Sequence, residues 1–272
     1  MLGRFKWPVV HAFHYVFPRI AHQRHMRHTN SLEIEIALLP LLADPERESI
    51  DVGANVGLYA DRLAALTKHV HIFEAHPRLA YILKAARAKN ATVYHGAVSS
   101  LDGFATLNIP LQNGQECDGL STLERGDTQQ KYKSIRIRSL MLDSLSQRNI
   151  GFVKIDVEGH ELEALAGSDR LISKQRPTFL IEAEERHRPG ATKLVFDFFA
   201  KRDYRGVFVF GRQVIPVERF DPTMQDARNL RSDVARSSII YPNNFIFIPK
   251  ERFKDDTHRR LEALLRAAAS EP

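Results

Sequence analysis

Cysteine is nearly absent from this sequence of 272 residues, whose only thiol belongs to Cys117. A single cysteine cannot form an internal disulfide or a cysteine-based zinc cage, which favours a reducing, cytosolic setting. The sequence also lacks any run approaching the roughly eighteen uninterrupted apolar residues that a membrane span requires. With 43% hydrophobic and 26% charged residues, its composition suits one globular domain with extra segments at either end.

Acidic residues are absent from the amino terminus, where the first carboxylate belongs to Glu33. We name residues 1–30 the N-terminal arm. Its basic and histidine side chains are Arg4, Lys6, His11, His14, Arg19, His22, Arg24, His25, Arg27 and His28. Apolar residues recur every three or four positions from Val10 to Ile20, as on one face of a helix. The arm is therefore predicted to be basic, amphipathic and partly helical, and we expect it to contact an anionic membrane surface. Its charge alone also allows nucleic acid or an acidic saccharide as partner.

From Ser49 onward, short apolar runs alternate with helical stretches, a pattern typical of a parallel sheet with crossover helices. Strands are predicted at residues 49–52, 70–73, 92–95, 152–155, 178–181, 207–210 and 245–248. Helices are predicted at residues 58–67, 79–89, 161–171, 192–202 and 254–269, and after a cap at Ser31. Turn dipeptides such as Asn113-Gly114 predict inserted strands and turns at residues 104–138. We expect a main domain over residues 31–250 and a C-terminal helix within residues 251–272.

The segment from Asp51 to Gly57 reads Asp-Val-Gly-Ala-Asn-Val-Gly and joins a predicted strand to a predicted helix. Glycines at such a turn let the backbone approach a ligand closely. The dinucleotide pattern G-x-G-x-x-G is absent because Asn55 occupies the position of its second glycine, which argues against a bound pyrophosphate. Glu74 ends the next strand, at a distance from Asp51 where such folds place a carboxylate on a ribose diol. The alternative is a tight structural turn with a solvated strand end.

Three segments in this order resemble motifs of the FkbM family of methyltransferases. They are the glycine turn, the pair Phe73-Glu74, and the Lys-Ile-Asp-Val-Glu-Gly-His-Glu segment at residues 154–161. The resemblance covers roughly residues 49–249. It implies a Rossmann-like class I methyltransferase fold, in which a mostly parallel seven-stranded sheet has an antiparallel last strand and helices on both faces. It also implies S-adenosylmethionine as the cofactor.

The resemblance further implies which residues bind the cofactor. The methionyl part is expected against Asp51, Gly53, Asn55 and Gly57, the ribose on Glu74, and the adenine against Ala97 and Val98. The family form has proline directly after the Phe-Glu pair, whereas this sequence inserts two residues before Pro77. The N-terminal arm lies outside the resemblance.

The mouth of the predicted fourth strand carries the candidate catalytic residues Asp156, Glu158 and His160. We expect Asp156 to orient or deprotonate the acceptor and His160 to be the nearest proton acceptor, because imidazole titrates near neutrality. The alternative is that this segment is a helix start with solvated polar residues. Asp156 and His160, with Glu182 and His187, also offer ligands for a divalent metal, although their spacing is no known ligand signature and a metal is not favoured.

The methyl acceptor is expected to be a hydroxyl on a saccharide, a glycolipid or another small molecule. No Asn/Asp-Pro-Pro-Tyr/Phe segment of the kind found in amino-group methyltransferases follows the fourth strand, and its acidic mouth would repel phosphate. Nucleic acid is therefore not expected as a partner. The alternatives are an N- or nucleic-acid methyltransferase and a non-catalytic, membrane-associated protein that binds the cofactor. A cytoplasmic location, including the cytoplasmic face of a membrane, is predicted.

Overall fold

Two sheets organise the protein in the computed structural model, which describes residues 15–29, 33–124, 130–226, 228 and 241–268. The strands are β1 Glu48–Val52, β2 Val70–Glu74, β3 Ala91–His95, β4 Ala97–Val98, β5 Gly103–Gln112, β6 Gln115–Glu116, β7 Tyr132–Leu140, β8 Ile150–Ile155, β9 Thr178–Glu182, β10 Tyr204–Phe210, β11 Gln213–Pro216 and β12 Asn244–Pro249. The α-helices are α1 Pro18–Thr29, α2 Leu39–Leu42, α3 Leu58–Leu66, α4 Pro77–Ala86, α5 Glu161–Ala166, α6 Asp169–Gln175, α7 Ala191–Ala200 and α8 Thr257–Ala268. Short 3-10 helices span Ile34–Leu38, Asp118–Leu120, Leu142–Leu145, Val217–Arg219 and Pro222–Gln225.

The larger sheet has the strand order β11-β10-β12-β9-β8-β1-β2-β3. Its strands β3, β2, β1, β8 and β9 are parallel neighbours, and β12 runs antiparallel to both β9 and β10. All seven predicted strands are present, but the predicted strand count is wrong because the sheet has eight. The antiparallel direction belongs to two strands, β12 and β11, rather than to the last strand alone.

Strand β11 was missed because its turn lacks the usual sequence signal. Gly211 and Arg212 connect β10 to β11, and both have positive φ, 57° and 65°. Two residues with positive φ form the type I′ turn that suits a hairpin, for which asparagine followed by glycine is the typical sequence. An arginine in the second position gives no such signal.

The predicted insertion forms the smaller sheet, with the order β4-β7-β5-β6. Strands β5 and β7 pair antiparallel from Gly103 with Ser139 to Pro110 with Tyr132. This confirms the predicted strands and turns at residues 104–138, apart from residues 125–129, which lie outside the described part. A small apolar core beneath this sheet consists of Ala97, Leu107, Ile109 and Ile137.

Two further corrections concern helices. The predicted helix 161–171 is two helices, α5 and α6, which meet at Gly167 and Ser168. A Cβ on Gly167 would lie 2.2 Å from the carbonyl oxygen of Ser99, so glycine is required where the chain passes that loop. The helix predicted after Ser31 is a 3-10 helix followed by α2, and Ser31 itself lies outside the described residues.

Both ends of the described chain pack onto the main domain. In the arm, α1 confirms the predicted helical character over Pro18–Thr29, while residues 1–14 lie outside the described part. The predicted C-terminal helix is confirmed as α8, whose Leu261 and Leu265 are fully buried. Within the described ranges, no helix combines the length and apolar character needed to cross a bilayer.

The large sheet has an apolar cluster on each face. Phe179, Phe199 and Phe245 belong to one cluster, whereas Leu63 and Leu180 belong to the other. Because neighbouring parallel strands are buried on both faces, their runs are continuously apolar rather than alternating. The polar residues that follow β1, β2 and β8 therefore gather at one edge of the sheet, where such folds bind ligands.

Candidate functional site

A pocket opens at the carboxyl ends of β1, β2 and β8. One wall comes from the main sheet and the other from the insertion. Its lining consists of Val52, Gly53, Asn55, Phe73, Glu74, Ala75, Leu79, Gly96, Ala97, Val98, Leu107, Asp118, Gly119, Ser121, Leu123, Asp156, Val157, Glu158 and His160. Four of these residues carry carboxyl groups and none is lysine or arginine.

The glycine turn after β1 is fixed by close backbone contacts. Gly53 has φ of 73° and Asn55 has φ of 52°. The N–H groups of Gly53 and Ala54 both donate to the carbonyl of Phe73, at 2.9 and 3.2 Å. A Cβ on Gly53 would lie 1.7 Å from the carbonyl oxygen of Asp156. Glycine is therefore required at this position by sterics and by its backbone conformation.

Glu74 links the two loops that form the floor of the pocket. Its carboxylate accepts the N–H of Asn55 at 2.7 Å and the N–H of His76 at 2.7 Å, so it joins the turn after β1 to the loop after β2. Burial raises the pKa of Glu74 to about 7, although the two N–H groups oppose the shift. The two residues inserted before Pro77 thus supply a hydrogen bond to this carboxylate, and its position at the end of β2 is kept.

Behind the pocket, Asp51 belongs to a buried cluster with Lys154 and Tyr59. Neither side-chain oxygen of Asp51 accepts a hydrogen bond of ordinary geometry from the described residues. Burial raises the pKa of Asp51 to about 6, and the charge of Lys154 opposes this shift. The Nζ of Lys154 lies 2.8 Å from Oδ2 of Asp156 and 5.0 Å from the centroid of the Tyr59 ring. Burial would lower the pKa of Lys154, but the surrounding carboxylates raise it above its ordinary value.

The segment after β8 places its acidic groups at the mouth of the pocket. Glu158 has φ of 52°, and its carboxylate lies 2.8 Å from Nε2 of His187. Burial would lower the pKa of His187, but the hydrogen bond and the charge of Glu158 outweigh burial and raise it. The side chain of Glu161 points back to accept the N–H of Gly159 at 2.9 Å, and burial raises its pKa to about 7.

Both ring nitrogens of His160 are engaged. Nε2 lies 2.9 Å from Oγ of Ser99, and Nδ1 lies 2.7 Å from Oε1 of Glu124. An ionised carboxylate only accepts hydrogen bonds, so in the neutral imidazole Nδ1 carries the proton and Nε2 accepts the hydroxyl proton of Ser99. The sequence did not indicate Ser99 or Glu124, because neither stands in a recognisable motif with His160.

The insertion approaches the main sheet at three points along the loop after β6. Oγ1 of Thr122 donates to the carbonyl of Glu158 at 2.7 Å, and a Cβ on Gly119 would lie 3.1 Å from Nδ2 of Asn55. Glu124 makes the third contact through His160. The loop therefore closes one side of the pocket.

The four residues considered as metal ligands are not brought together. In the described part of the chain, no three of Asp156, His160, Glu182 and His187 place ligand atoms within 4.8 Å of one another, whereas Glu124, His160 and Glu163 do. Glu163 also pairs with Arg188 at 3.2 Å.

His76, Glu116 and Asp118 form a second group of this kind. Nδ1 of His76 accepts the N–H of Arg78, which leaves the proton of a neutral imidazole on Nε2, the atom that faces the carboxylates. Arg78 also forms an ion pair with Asp118. The group therefore suits a hydrogen-bonded contact between the insertion and α4 better than a metal ion.

Most of the predicted site residues line one pocket. Gly53, Asn55, Glu74, Ala97 and Val98 do so, as do the three candidate catalytic residues Asp156, Glu158 and His160. Asp51 and Gly57 do not. Asp51 lies behind the turn in the cluster with Lys154, and Gly57 begins α3 beneath Leu83 and His22.

No curated protein matches the sequence. Structurally, the chain is similar to the methyltransferase FkbM of Methylobacillus flagellatus KT, with a TM-score of 0.48 and 17% identity over 82% of this chain and 50% of that chain. The chain thus spans half the length of that protein.

Two further solved structures have lower similarity. They are precorrin-6y C5,15-methyltransferase of Geobacter metallireducens GS-15, with a TM-score of 0.38 and 14% identity over 65% of this chain and 73% of that one, and precorrin 8w decarboxylase of Methanobacterium thermoautotrophicum, with a TM-score of 0.37 and 12% identity over 78% and 86%. The profile of the methyltransferase FkbM domain matches residues 51–205, which is more than half of the sequence. The chain belongs to the methyltransferase FkbM family.

Proposed function

We propose that this protein binds S-adenosylmethionine in the pocket and transfers its methyl group to a hydroxyl oxygen of a saccharide, a glycolipid or another small molecule. Membership of the FkbM family supports methyl transfer. The observation that supports a hydroxyl acceptor is the contact between the hydroxyl group of Ser99 and Nε2 of His160.

The pocket suits a nucleoside linked to a positively charged centre. Ala97, Val98 and Leu107 give an apolar wall for an adenine ring, and the Glu74 carboxylate can accept hydrogen bonds from the two ribose hydroxyls. The acid-rich lining and the buried Asp51 behind it favour a cationic ligand over an anionic one. S-adenosylmethionine supplies a methyl group already activated by its sulfonium, so the protein has to align the acceptor and accept its proton.

His160 has the arrangement needed to accept that proton. Its Nδ1–H is held by Glu124, which leaves Nε2 as the acceptor, and Nε2 already lies 2.9 Å from one hydroxyl oxygen, that of Ser99. A substrate hydroxyl that replaces Ser99 at this nitrogen could pass its proton to the imidazole while its oxygen bonds to the methyl carbon. The bond between that carbon and sulfur would break at the same time, with S-adenosylhomocysteine as the leaving group. The Glu124 carboxylate would then stabilise the positively charged ring.

Asp156 and Glu158 would orient the acceptor. Asp156 is tied to Lys154, so we expect this carboxylate to accept a hydrogen bond from a neighbouring hydroxyl rather than to remove a proton. Glu158 can do the same from the mouth of the pocket. Without lysine or arginine in the lining, a phosphorylated acceptor lacks a counter-charge, and this disfavours nucleic acid.

The test is transfer of a labelled methyl group from S-adenosylmethionine to separate saccharide, glycolipid, peptide and RNA fractions. We expect label in the saccharide or glycolipid fraction, as an ether that resists the alkaline treatment that hydrolyses methyl esters. His160→Gln should abolish transfer, whereas His69→Gln, at the opposite end of β2, should retain it. Label only in peptide or RNA would overturn the proposed class of acceptor, and binding of the cofactor without turnover on any fraction would support a non-catalytic role.

A metal requirement would be a different mechanism at the same residues. Glu124, His160 and Glu163 could hold a divalent cation, and activity abolished by a chelator and restored by magnesium or manganese would identify it. The proton-acceptor role of His160 predicts activity that a chelator leaves unchanged.

A further inference from the structure

One surface of the described protein concentrates exposed apolar side chains. Nine large apolar residues are exposed in the described part of the chain, and five of them cluster around the start of α1: Tyr15, Val16, Phe17, Ile20 and Tyr81, with exposed fractions from 44% to 65%. The other four are scattered over the insertion and α7. We name these five residues the α1 surface. A contiguous apolar patch of this kind marks an interaction site, whereas single exposed residues do not.

The α1 surface is held in place by the opposite side of the helix. Ala21 and His22 are buried, and Nε2 of His22 lies 3.5 Å from Oδ2 of Asp61 in α3. Arg19 donates to the carbonyl of Ala85 at 2.9 Å. The inward side of α1 is thus anchored on α3 and α4, and this anchoring leaves the apolar residues facing outward.

Tyr81 extends the surface onto α4. Its ring lies 5.2 Å from that of Tyr15, and its hydroxyl donates to the carbonyl of Tyr15 at 3.1 Å. Tyrosine is well suited to a membrane interface because its ring is apolar and its hydroxyl remains hydrated. The surface therefore combines a rigid base with aromatic and branched apolar groups.

The charge of the amino-terminal sequence identifies the partner. Residues 1–32 contain five arginines and lysines and no acidic residue, so they contribute five of the six net positive charges of the whole sequence. The remaining 240 residues are close to neutral. Among possible partners, an anionic bilayer offers both a counter-charge for this segment and an apolar layer for the side chains.

We propose that the α1 surface docks on an anionic lipid bilayer. The apolar side chains enter the boundary between headgroups and acyl chains, and the arginines and lysine of the arm attract the anionic headgroups. Because α1 packs against Gly57 at the end of the glycine turn, docking holds the methyltransferase domain at the bilayer. This inference is independent of the acceptor in the proposed reaction.

The test is co-sedimentation of the full-length protein with vesicles of phosphatidylcholine alone or mixed with phosphatidylglycerol. We expect binding to the mixed vesicles that weakens as salt is added. The double variant Val16→Asp/Ile20→Asp should bind at least tenfold more weakly, since burying one such side chain in an apolar layer is worth about tenfold in affinity. Leu194→Asp, with a similar exposure on α7, is the matched control and should bind normally.

Folding of the variants is checked by their affinity for S-adenosylhomocysteine, which should be unchanged. Equal vesicle binding by the double variant and the native protein would overturn the proposal, as would no binding of the native protein. Light scattering should show the same mass for both proteins. A dimer that is lost in the double variant would instead assign the surface to a second copy of the chain.

Discussion

Cofactor affinity should rise with pH through neutrality, and Glu74 should be the reason. In the free protein, burial raises the pKa of this carboxyl to about 7, so at neutral pH it is protonated in about half of the molecules. The ribose hydroxyls of the cofactor donate hydrogen bonds, and donors favour the ionised carboxylate. Binding therefore lowers the pKa and releases a proton, and affinity increases as the pH rises.

The size of the effect follows from the titration. With a pKa of about 7, the ionised fraction of Glu74 is roughly one in eleven at about pH 6 and roughly ten in eleven at about pH 8. If only the ionised form binds, affinity should increase by about a factor of ten across this range. Above about pH 8 the carboxyl is fully ionised, and the curve should flatten.

Isothermal titration calorimetry measures this change of affinity with pH. S-adenosylhomocysteine is the ligand of choice because its neutral thioether removes the contribution of the sulfonium charge. Glu74→Gln should abolish the pH dependence and weaken binding at high pH by about tenfold or more, the range for a lost hydrogen bond to a charged group. Glu161→Gln is the matched control: its carboxyl also has a pKa raised to about 7, but it does not line the pocket. A pH dependence that survives Glu74→Gln and disappears in Glu161→Gln would refute the reasoning.

Three further variants test the neighbouring parts of the site. Glu124→Gln keeps a hydrogen bond to His160 but removes the charge. The kcat should therefore fall about tenfold or more, while calorimetry shows an unchanged affinity for S-adenosylhomocysteine. An equal loss of kcat and of this affinity would indicate a structural role for Glu124. The Gly53→Ala variant should be mostly misfolded or insoluble, because the added Cβ collides with the backbone of Asp156. Circular dichroism of the soluble fraction measures how much folded protein is left. Lys154→Met leaves buried carboxylates without their cation and should lower the free energy of unfolding in urea by about 3–5 kcal/mol; an unchanged midpoint would contradict this.

Seven of the eight strands of the larger sheet could be predicted because each of these is a short apolar run bounded by polar or glycine-containing segments. This pattern follows from burial on both faces of the sheet, so it can be recognised in the sequence without knowing which strands lie next to each other. The break between α5 and α6 could not be predicted, since Gly167 is needed only because the loop at Ser99 passes close to it. The apolar period continues across the break, and the sequence shows one helix.

The site residues differ in the same way: those placed by local sequence and strand order could be predicted, whereas those placed by contacts with distant segments could not. Gly53, Asn55 and Glu74 end or follow adjacent strands, so parallel topology alone brings them to one edge. Asp51 is a different case. It belongs to the same motif, but the alternation of side chains along β1 directs it away from the pocket lining and toward Lys154.

Glu124 could not be predicted because its contact depends on how a second sheet folds over the first. It is separated from His160 by β7 and β8, and the two side chains come within 2.7 Å because the loop after β6 pairs with β5 through Thr122 and Asn108. The same pairing presents Thr122 to Glu158. Local motifs of the main sheet thus specify where a cofactor would lie, while the groups that face His160 come from the insertion. Residues that recognise the acceptor are therefore to be sought in the loop after β6, whose sequence carries no motif of its own.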